Sequence, residues 1–218
     1  MKKSLMTAAA LTALTILFTL LVLLVDVKTI GPRDSAVGLA ALNGPVHEAV
    51  KTNLFWYDVS KVMGLVGMMA GGVIALMGLI QWIKGKSLKK VDPAIFAAGG
   101  LYVILVILWK AFDKIVINYR PILENGQLEA SYPSTHSMLA VVFFGSALFF
   151  VGRYVFAEWP KRMLMVCLAL AGGLTIMARF LSGVHWLTDI IGGLLFGLML
   201  LSWFKCSADW ITQKRDWR

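Results

Sequence analysis

Two arginines and two histidines stand where apolar runs of this sequence begin or end, and together they suit the cleavage of a phosphate ester. That reaction needs positive charge on the non-bridging oxygens, a nucleophile, and a proton donor for the leaving oxygen. Arg120 and Arg179 carry planar forks that can hold phosphate through two hydrogen bonds each. His136 and His185 can serve as acid and nucleophile. The pattern indicates phosphate chemistry at a membrane surface.

Further residues near these four can support the same chemistry. Lys114 could add a point charge, and the peptide N–H groups near Ser134 and Thr135 could act as helix N-terminal donors. Asp189 follows His185 by four positions, which puts both side chains on one helix face if a helix begins near Val184. The carboxylate could then accept the Nδ1 proton and leave Nε2 as an attacking lone pair.

The composition is that of a polytopic membrane protein. Of the 218 residues, 59% are hydrophobic, which lies well outside the soluble range and favours one membrane domain over residues 1–218. Six apolar windows have about the twenty residues that a bilayer core requires. They lie at 4–25, 61–83, 95–117, 137–156, 163–183 and 189–208. We therefore predict an all-α, integral membrane six-helix bundle, with the first window as an uncleaved span and not a signal peptide.

Basic residues mark one side of this predicted bundle. The net charge of +9 arises from short clusters beside the spans, which fits anchoring to anionic lipid and does not point to nucleic acid. The clusters lie at 2–3, 84–90, 153–162 and 205–218, the last including Lys205, Lys214, Arg215 and Arg218. The positive-inside rule makes both termini cytoplasmic. The polar motifs lie in or beside the third and fifth connections, so we expect the site on the outer face of the cell membrane.

The remaining segments carry less chemistry. The longest connection, about 26–60, has an amphipathic stretch at 37–54 that suits either a short interfacial helix or an ordinary surface loop with an aromatic belt. Cys167 and Cys206 lie in apolar segments and imply packing, not a disulfide framework. The sequence shows neither a Cys/His ligand cluster nor a carboxylate-rich loop, so no metal and no other cofactor is predicted. It gives no indication of the oligomeric state.

Three short motifs resemble those of the type 2 phosphatidic acid phosphatase superfamily, in its membrane branch. Its pattern is Lys, six residues, Arg-Pro, then Pro-Ser-Gly-His, then Ser-Arg, five residues, His, three residues, Asp. The first element corresponds here to Lys114 and Arg120-Pro121, and the second to Pro133-Ser134-Thr135-His136. The third reads Ala178-Arg179, five residues, His185, three residues, Asp189. The resemblance covers about 114–189 and includes the six-span topology.

Each motif position has an implied role. By resemblance, His185 is the nucleophile that forms a phosphohistidine, Asp189 orients it and His136 is the general acid. The phosphate pocket is implied for the remaining matched residues, which are Arg120, Ser134, Thr135, Arg179 and Lys114. Three positions depart from the pattern: Lys114 is one residue closer to Arg120, Thr135 replaces Gly, and Ala178 replaces Ser. If the position of Thr135 requires a positive φ, a β-branched residue would strain it.

The sequence therefore predicts an integral-membrane, metal-independent lipid phosphatase. The resemblance implies a phosphorylated lipid as substrate: phosphatidic acid, phosphatidylglycerol phosphate or a polyprenyl diphosphate, among which the sequence does not choose. One alternative is a phosphotransferase that passes the phosphoryl group to an acceptor other than water. Another is a lipid-binding or transport protein that keeps the fold without catalysis.

Overall fold

The computed structural model describes the backbone of Lys2–Asp216 and the side chains of residues 2–213, so the side chains of Lys214 and Arg215 and the whole of Arg218 lie outside it. Within these residues the chain is all-α. Its helices are α1 Lys2–Leu24, α2 Ala40–Val50, α3 Leu54–Gly85, α4 Pro93–Phe112, α5 Thr135–Tyr154, α6 Glu158–Leu181 and α7 Leu187–Asp216.

Six of these helices, all but α2, are long and apolar enough to cross a membrane. The prediction of an all-α bundle with six spans is thereby confirmed, and the protein is a multi-pass membrane protein. Several bounds differ from the predicted windows, and two of these differences lie near one another at one end of the bundle. The second span, α3, begins at Leu54, seven residues earlier than expected, and the third span, α4, ends at Phe112 and not at 117. Ile115, Val116 and Ile117 are apolar but follow the turn at Asp113-Lys114 and lie outside any helix.

The helices pack around α5 and α7. Helix α7 packs against α1, α4 and α5, while α5 also packs against α3 and α6. Leu101 and Leu105 of α4, Met138 and Val142 of α5 and Phe204 of α7 belong to one buried apolar cluster. Where α7 crosses the start of α5, a Cβ on Gly193 would lie 2.4 Å from the Ser134 carbonyl oxygen, so only glycine permits this approach. The close crossing brings the start of α7 beside the start of α5.

We call the end of the bundle where α3, α5 and α7 begin the site end. Helix α2 lies there, inside the stretch 37–54, for which the sequence left a short helix and a surface loop open. Its buried Asn43 donates from Nδ2 to the Gly38 carbonyl at 2.8 Å and to Thr188 Oγ1 at 2.9 Å. The Asn43 side-chain oxygen accepts from the Thr188 N–H at 3.2 Å. These bonds tie α2 to the first turn of α7.

The connection between α4 and α5 forms a hairpin over residues 118–131, which we call the acidic hairpin because it carries Glu124 and Glu129. Isolated bridges join Tyr119 to Ala130 and Glu124 to Gln127. The two turn residues, Asn125 and Gly126, have φ values of 50° and 73°. The common two-residue hairpin turn requires a positive φ at both central residues, and Asn-Gly is a preferred pair for it. Arg33 Nη2 donates to the Gly126 carbonyl at 2.9 Å and so holds the tip.

A polar cluster closes the opposite end of the bundle. Asp92 caps α4 and accepts from Arg153 at 2.5 and 3.0 Å and from the Tyr154 hydroxyl at 2.5 Å. Gln81 of α3 donates to the Tyr154 hydroxyl at 3.1 Å and accepts from the Asp92 N–H at 2.8 Å. The cluster therefore joins α3, α4 and α5 far from the site end.

Candidate active site

A cavity of about 710 Å³ opens at the site end. Polar and charged side chains of several elements line it, among them Arg120, Thr135, His136, Arg179 and His185. Its apolar wall comes from α3, α4, α5 and the acidic hairpin, through Met68, Trp109, Leu139 and Leu128. A charged group with an apolar chain attached is the kind of ligand that such a lining suits.

The short loop between α6 and α7 carries His185 into this cavity. The loop turns at Gly183, whose φ is +63° and where a Cβ would lie 2.1 Å from the Lys51 carbonyl oxygen. Any side chain there would be strained and would collide with the backbone. The Asn53 N–H donates to the Ser182 carbonyl at 2.9 Å and fixes the loop against the start of α3. His185 is therefore held by a rigid turn.

The hydrogen bonds of His185 identify its tautomer. Arg179 Nη2 lies 3.0 Å from His185 Nε2. Because a guanidinium can only donate, Nε2 must accept with its lone pair, and the ring proton of neutral His185 is on Nδ1. That nitrogen lies 3.5 Å from Asp189 Oδ2. The arrangement presents Nε2 to the cavity as the basic nitrogen.

Asp189 is fully buried and fixed from three sides. Its Oδ2 accepts from the Trp186 N–H at 2.9 Å, so the carboxylate caps the first turn of α7 as well as facing His185. Its Oδ1 accepts from Asn118 Nδ2 at 3.3 Å. Asn118 is itself buried, accepts from the Gly38 N–H at 3.2 Å and so ties Asp189 to the loop before α2.

Arg179 is almost completely buried, with 1% of its surface exposed. Its Nη1 donates to Ser60 Oγ at 3.4 Å, and its guanidinium carbon lies 5.0 Å from the centre of the Tyr57 ring. Its Nε makes no hydrogen bond to any residue that the structure describes. A buried donor without a partner is costly, so this arrangement favours an anion in the cavity.

Arg120 also lines the cavity, from the first arm of the acidic hairpin. Its backbone N–H donates to the Glu129 carbonyl at 2.9 Å. Its guanidinium forms an ion pair with Glu124 and a longer one, 3.6 Å, with Glu129. Both arginines implied by the motifs thus line one cavity with both histidines.

The first turn of α5 contributes His136 and Thr135 to the lining. His136 Nδ1 is buried and has no hydrogen-bond partner among the described residues. Thr135 is helical and has no positive φ, so its replacement of glycine causes no backbone strain. Ser134 lies behind the cavity: it caps α5, its hydroxyl accepts from Ser137 Oγ at 3.0 Å, and its N–H donates to the Asp189 carbonyl at 2.9 Å.

Lys114, like Ser134, is a predicted phosphate-binding residue that does not line the cavity. Helix α4 has ended at Phe112, and the turn that follows leaves the Lys114 side chain exposed. Its neighbour Asp113 lines the cavity and forms an ion pair with Lys110 at 3.5 Å. Because Lys114 is exposed and is not among the lining residues, its place in the phosphate pocket stays a prediction.

Residues of α3 were missed by the sequence argument. Tyr57 and Ser60 contact Arg179, and a Cβ on Gly64 would lie 3.4 Å from the His136 ring. The spacing of three and four places these positions on one helix face. This stripe of small and polar residues in an apolar span was a usable signal. Asn118, Glu124 and Glu129 had no comparable signal, since their contacts depend on the hairpin.

Burial and charge keep the His185 imidazole neutral. Burial lowers the pKa of His185 well below its usual value, and the positive charges of Arg179 and Arg120 lower it further. A neutral imidazole has a lone pair for attack. Among the described residues no group of three or more His, Cys, Asp or Glu side chains could hold a metal ion. Arg120 and Arg179 bring positive charge to the cavity.

Comparisons with known proteins agree with this geometry. The family model described as PAP2 superfamily matches residues 67–213. Phosphatidylglycerophosphatase B of Bacillus subtilis (strain 168) is 26% identical over 111 residues, which are 50% of this chain and 54% of that protein. The matched stretch thus spans about half the length of that relative.

A solved structure has the same fold. It is the crystal structure of a transmembrane PAP2-type phosphatidylglycerolphosphate phosphatase from Bacillus subtilis, with a TM-score of 0.59 and 18% sequence identity. The alignment covers 92% of this chain and 94% of that one. The family match extends over most of the chain and includes His136, Arg179, His185 and Asp189. The chain belongs to the PAP2 superfamily, the family of membrane phosphatases that its motifs indicated.

Proposed function

We propose that this protein is an integral-membrane lipid phosphatase that hydrolyses a phosphomonoester or diphosphate of a lipid through a phosphohistidine. The observation that carries the proposal is the arrangement around His185. Its Nε2 lone pair accepts from Arg179, which lines the same cavity as Arg120 and His185, and its Nδ1 faces the buried Asp189. The relatives are phosphatidylglycerolphosphate phosphatases by their names, which supports a phosphorylated lipid as substrate.

The first step forms a covalent intermediate. A phosphate group bound between Arg120 and Arg179 draws the Arg179 fork away from His185 Nε2 and frees the lone pair. Nε2 attacks phosphorus, the bond from phosphorus to the lipid oxygen breaks, and protonated His136 gives its proton to that oxygen. Asp189 stabilises the Nδ1–H as positive charge develops on His185.

The second step releases inorganic phosphate. Neutral His136 takes a proton from water, the water oxygen attacks phosphorus, and the N–P bond breaks with its electron pair returning to Nε2. The guanidinium groups of Arg120 and Arg179 neutralise the oxygens in both transition states. His136 is then protonated again for the next cycle.

We further propose that the site faces the outer side of the cell membrane and that both termini are cytoplasmic. Basic residues near the far ends of the helices support this orientation, as in Lys84, Lys89, Lys90, Lys161 and Arg162. The lipid chain would leave the cavity past its apolar lining, which includes Trp109 and Leu139. The headgroup would then be hydrolysed at the level of the outer leaflet.

A phosphate-release assay in detergent tests the function. The purified protein is given phosphatidic acid, phosphatidylglycerol phosphate and a polyprenyl diphosphate, each with and without excess EDTA. We expect stoichiometric inorganic phosphate from at least one lipid, unchanged by EDTA. Loss of lipid phosphate without phosphate release would instead indicate a phosphotransferase. No turnover of any lipid would favour a non-catalytic protein, and activity restored by Mg²⁺ after EDTA would contradict the metal-free pocket.

A further inference from the structure

Two carboxylates of the acidic hairpin contact Arg120, a side chain that the proposed function requires for binding phosphate. Arg120 contacts both Glu124 and Glu129, and its side chain is only 14% exposed. A phosphate dianion in the cavity would bring its oxygens to the same guanidinium. Three anionic groups around one cation repel one another, so at least one carboxylate must move away from the Arg120 guanidinium.

The structure distinguishes the two carboxylates. Glu124 is held from a second element, because the Tyr57 hydroxyl of α3 donates to its Oε1 at 2.7 Å. Its side chain is 27% exposed, against 43% for Glu129. Glu129 is 3.6 Å from Arg120 and lines the cavity, whereas Glu124 is not part of the lining. Glu129 is therefore the more weakly held of the two carboxylates.

The pKa shifts of Glu124 and Glu129 also indicate that Glu129 is the more weakly held carboxylate. Burial raises the pKa of Glu129, and the negative charge of Glu124 raises it further. Burial acts in the same direction on Glu124, but the Tyr57 hydroxyl and Arg120 outweigh it and lower the pKa of Glu124. Glu124 is thus the stable partner of Arg120, and Glu129 is the weakly bound one.

We propose that Glu129 is a displaceable carboxylate that occupies Arg120 in the empty site and competes there with phosphate. The proposal rests on the proposed function, because it requires Arg120 to bind phosphate. Glu129 then sets how tightly substrate phosphate and product phosphate are held, and it acts through Arg120 as a positioning residue. Its return to Arg120 after hydrolysis helps to expel the product.

Direct binding of inorganic phosphate to the purified protein, measured by calorimetry in detergent, tests this proposal without requiring turnover. Glu129→Gln keeps the size of the side chain, and the backbone bond from Arg120 to the Glu129 carbonyl does not involve the side chain. We expect this variant to bind phosphate about 5-fold to 10-fold more tightly, the low end of typical coupling between ligands, because Glu129 is partly exposed.

Asp113→Asn is the matched control. Asp113 also lines the cavity, yet its ion-pair partner is Lys110, so the variant removes one negative charge without freeing Arg120. We expect less than about a twofold change, because screening weakens an exposed charge that is not in contact. The effect of Glu129→Gln should also shrink below about twofold in an Arg120→Lys background, where the planar fork is absent.

Equal effects of Glu129→Gln and Asp113→Asn would overturn the proposal, as would a Glu129→Gln effect that survives Arg120→Lys. If the wild type binds phosphate and Glu129→Gln binds it equally well, the role of Glu129 is contradicted while the proposed phosphate site is not. Failure of the wild type to bind phosphate at all would remove the proposed phosphate site, and this inference with it. In turnover assays, the inhibition constant of phosphate should fall by the same factor in Glu129→Gln.

Discussion

At the scale of single residues, the site is organised by what each group around His185 can donate or accept. Arg179 can only donate, so it selects the tautomer with a lone pair on Nε2. Asp189 can accept at Nδ1, and its other contacts, to Trp186 and Asn118, prevent it from turning away. The same guanidinium that selects the tautomer also covers the Nε2 lone pair. In the proposed mechanism, substrate phosphate draws this guanidinium away and uncovers the lone pair.

Changing Asp189 to Asn should separate orientation from binding. The amide no longer favours the Nδ1–H tautomer, so Nε2 loses its lone pair in a large fraction of molecules. We expect kcat to fall roughly 10²–10⁴-fold with a modest change in KM. Steady-state kinetics on the preferred lipid measure this. A variant in which KM rises strongly while kcat is unchanged would mean that Asp189 serves substrate binding.

The depressed pKa of His185 leads to a titration experiment. We expect the His185 imidazole of the empty protein to stay neutral at pH 5.5, where an ordinary histidine, with a pKa of about 6.5, is mostly charged. Nitrogen NMR of histidine-labelled protein can follow it, because the chain has 3 histidines and His185→Gln assigns the signal. Protonation with a midpoint near 6.5 would show that burial and the arginines do not act as described.

The sign of this shift also predicts an effect on stability. The unfolded chain binds a proton at His185 below about pH 6.5, while the folded chain does not. The contribution of His185 to stability is therefore fully present above that pH and is lost as the pH falls.

At the scale of helices and loops, sequence reasoning predicted the spans well and the connections poorly. Apolar windows identify a span because every membrane-crossing helix must present apolar side chains to lipid. Ends are harder to predict, as Ile115 to Ile117 show, since an apolar residue after a helix end looks like a continuation. The contacts of Glu124 and Glu129 with Arg120 depend on the hairpin turn. Glu124 is also held by Tyr57, which is far from every recognised motif in the sequence.

The polar cluster at the opposite end of the bundle should be important for stability. Asp92→Ala removes the acceptor of Arg153 and Tyr154 and the cap of α4. We expect a loss of roughly 1–3 kcal/mol in unfolding free energy, the usual cost of hydrogen bonds to a charged group. Thermal or denaturant unfolding in detergent measures the change.

Glu158→Ala provides the control for that variant. Its ion pairs with Lys161 and Arg162 are both 3.8 Å long, and its side chain is 68% exposed. Exposed pairs of this kind contribute about 0–1 kcal/mol. If Asp92→Ala is no more destabilising than Glu158→Ala, the cluster does not hold α3, α4 and α5 together.

At the scale of the whole molecule, motif and topology arguments converged on one end of the bundle. His136, Arg179, His185 and Asp189 were predicted from spacing, and the fold does bring them together, because α5, α6 and α7 meet at the site end. Lys114 does not line the cavity. Tyr57, Ser60 and Asn118 were missed, because their contacts join segments that are far apart in the sequence. The orientation in the membrane stays a prediction.

Labelling from outside the cell tests that orientation. A cysteine at Gln127, in the turn of the acidic hairpin, is introduced after Cys167 and Cys206 have been replaced. We expect an impermeant thiol reagent to modify it in intact cells. A second cysteine at Lys86, beyond the far end of α3, should react only after the cells are opened. The reverse pattern would place the site in the cytoplasm.

The central claim is that His185 accepts the phosphoryl group, and trapping that intermediate tests it most directly. Purified protein is mixed with a lipid phosphate or an aryl phosphate carrying labelled phosphorus and quenched in alkali, where phosphohistidine survives. We expect an acid-labile adduct on His185 in the wild type and none in His185→Ala. His136→Ala should still form the adduct with the aryl phosphate, whose leaving group needs no protonation. The same adduct in His185→Ala would contradict the account.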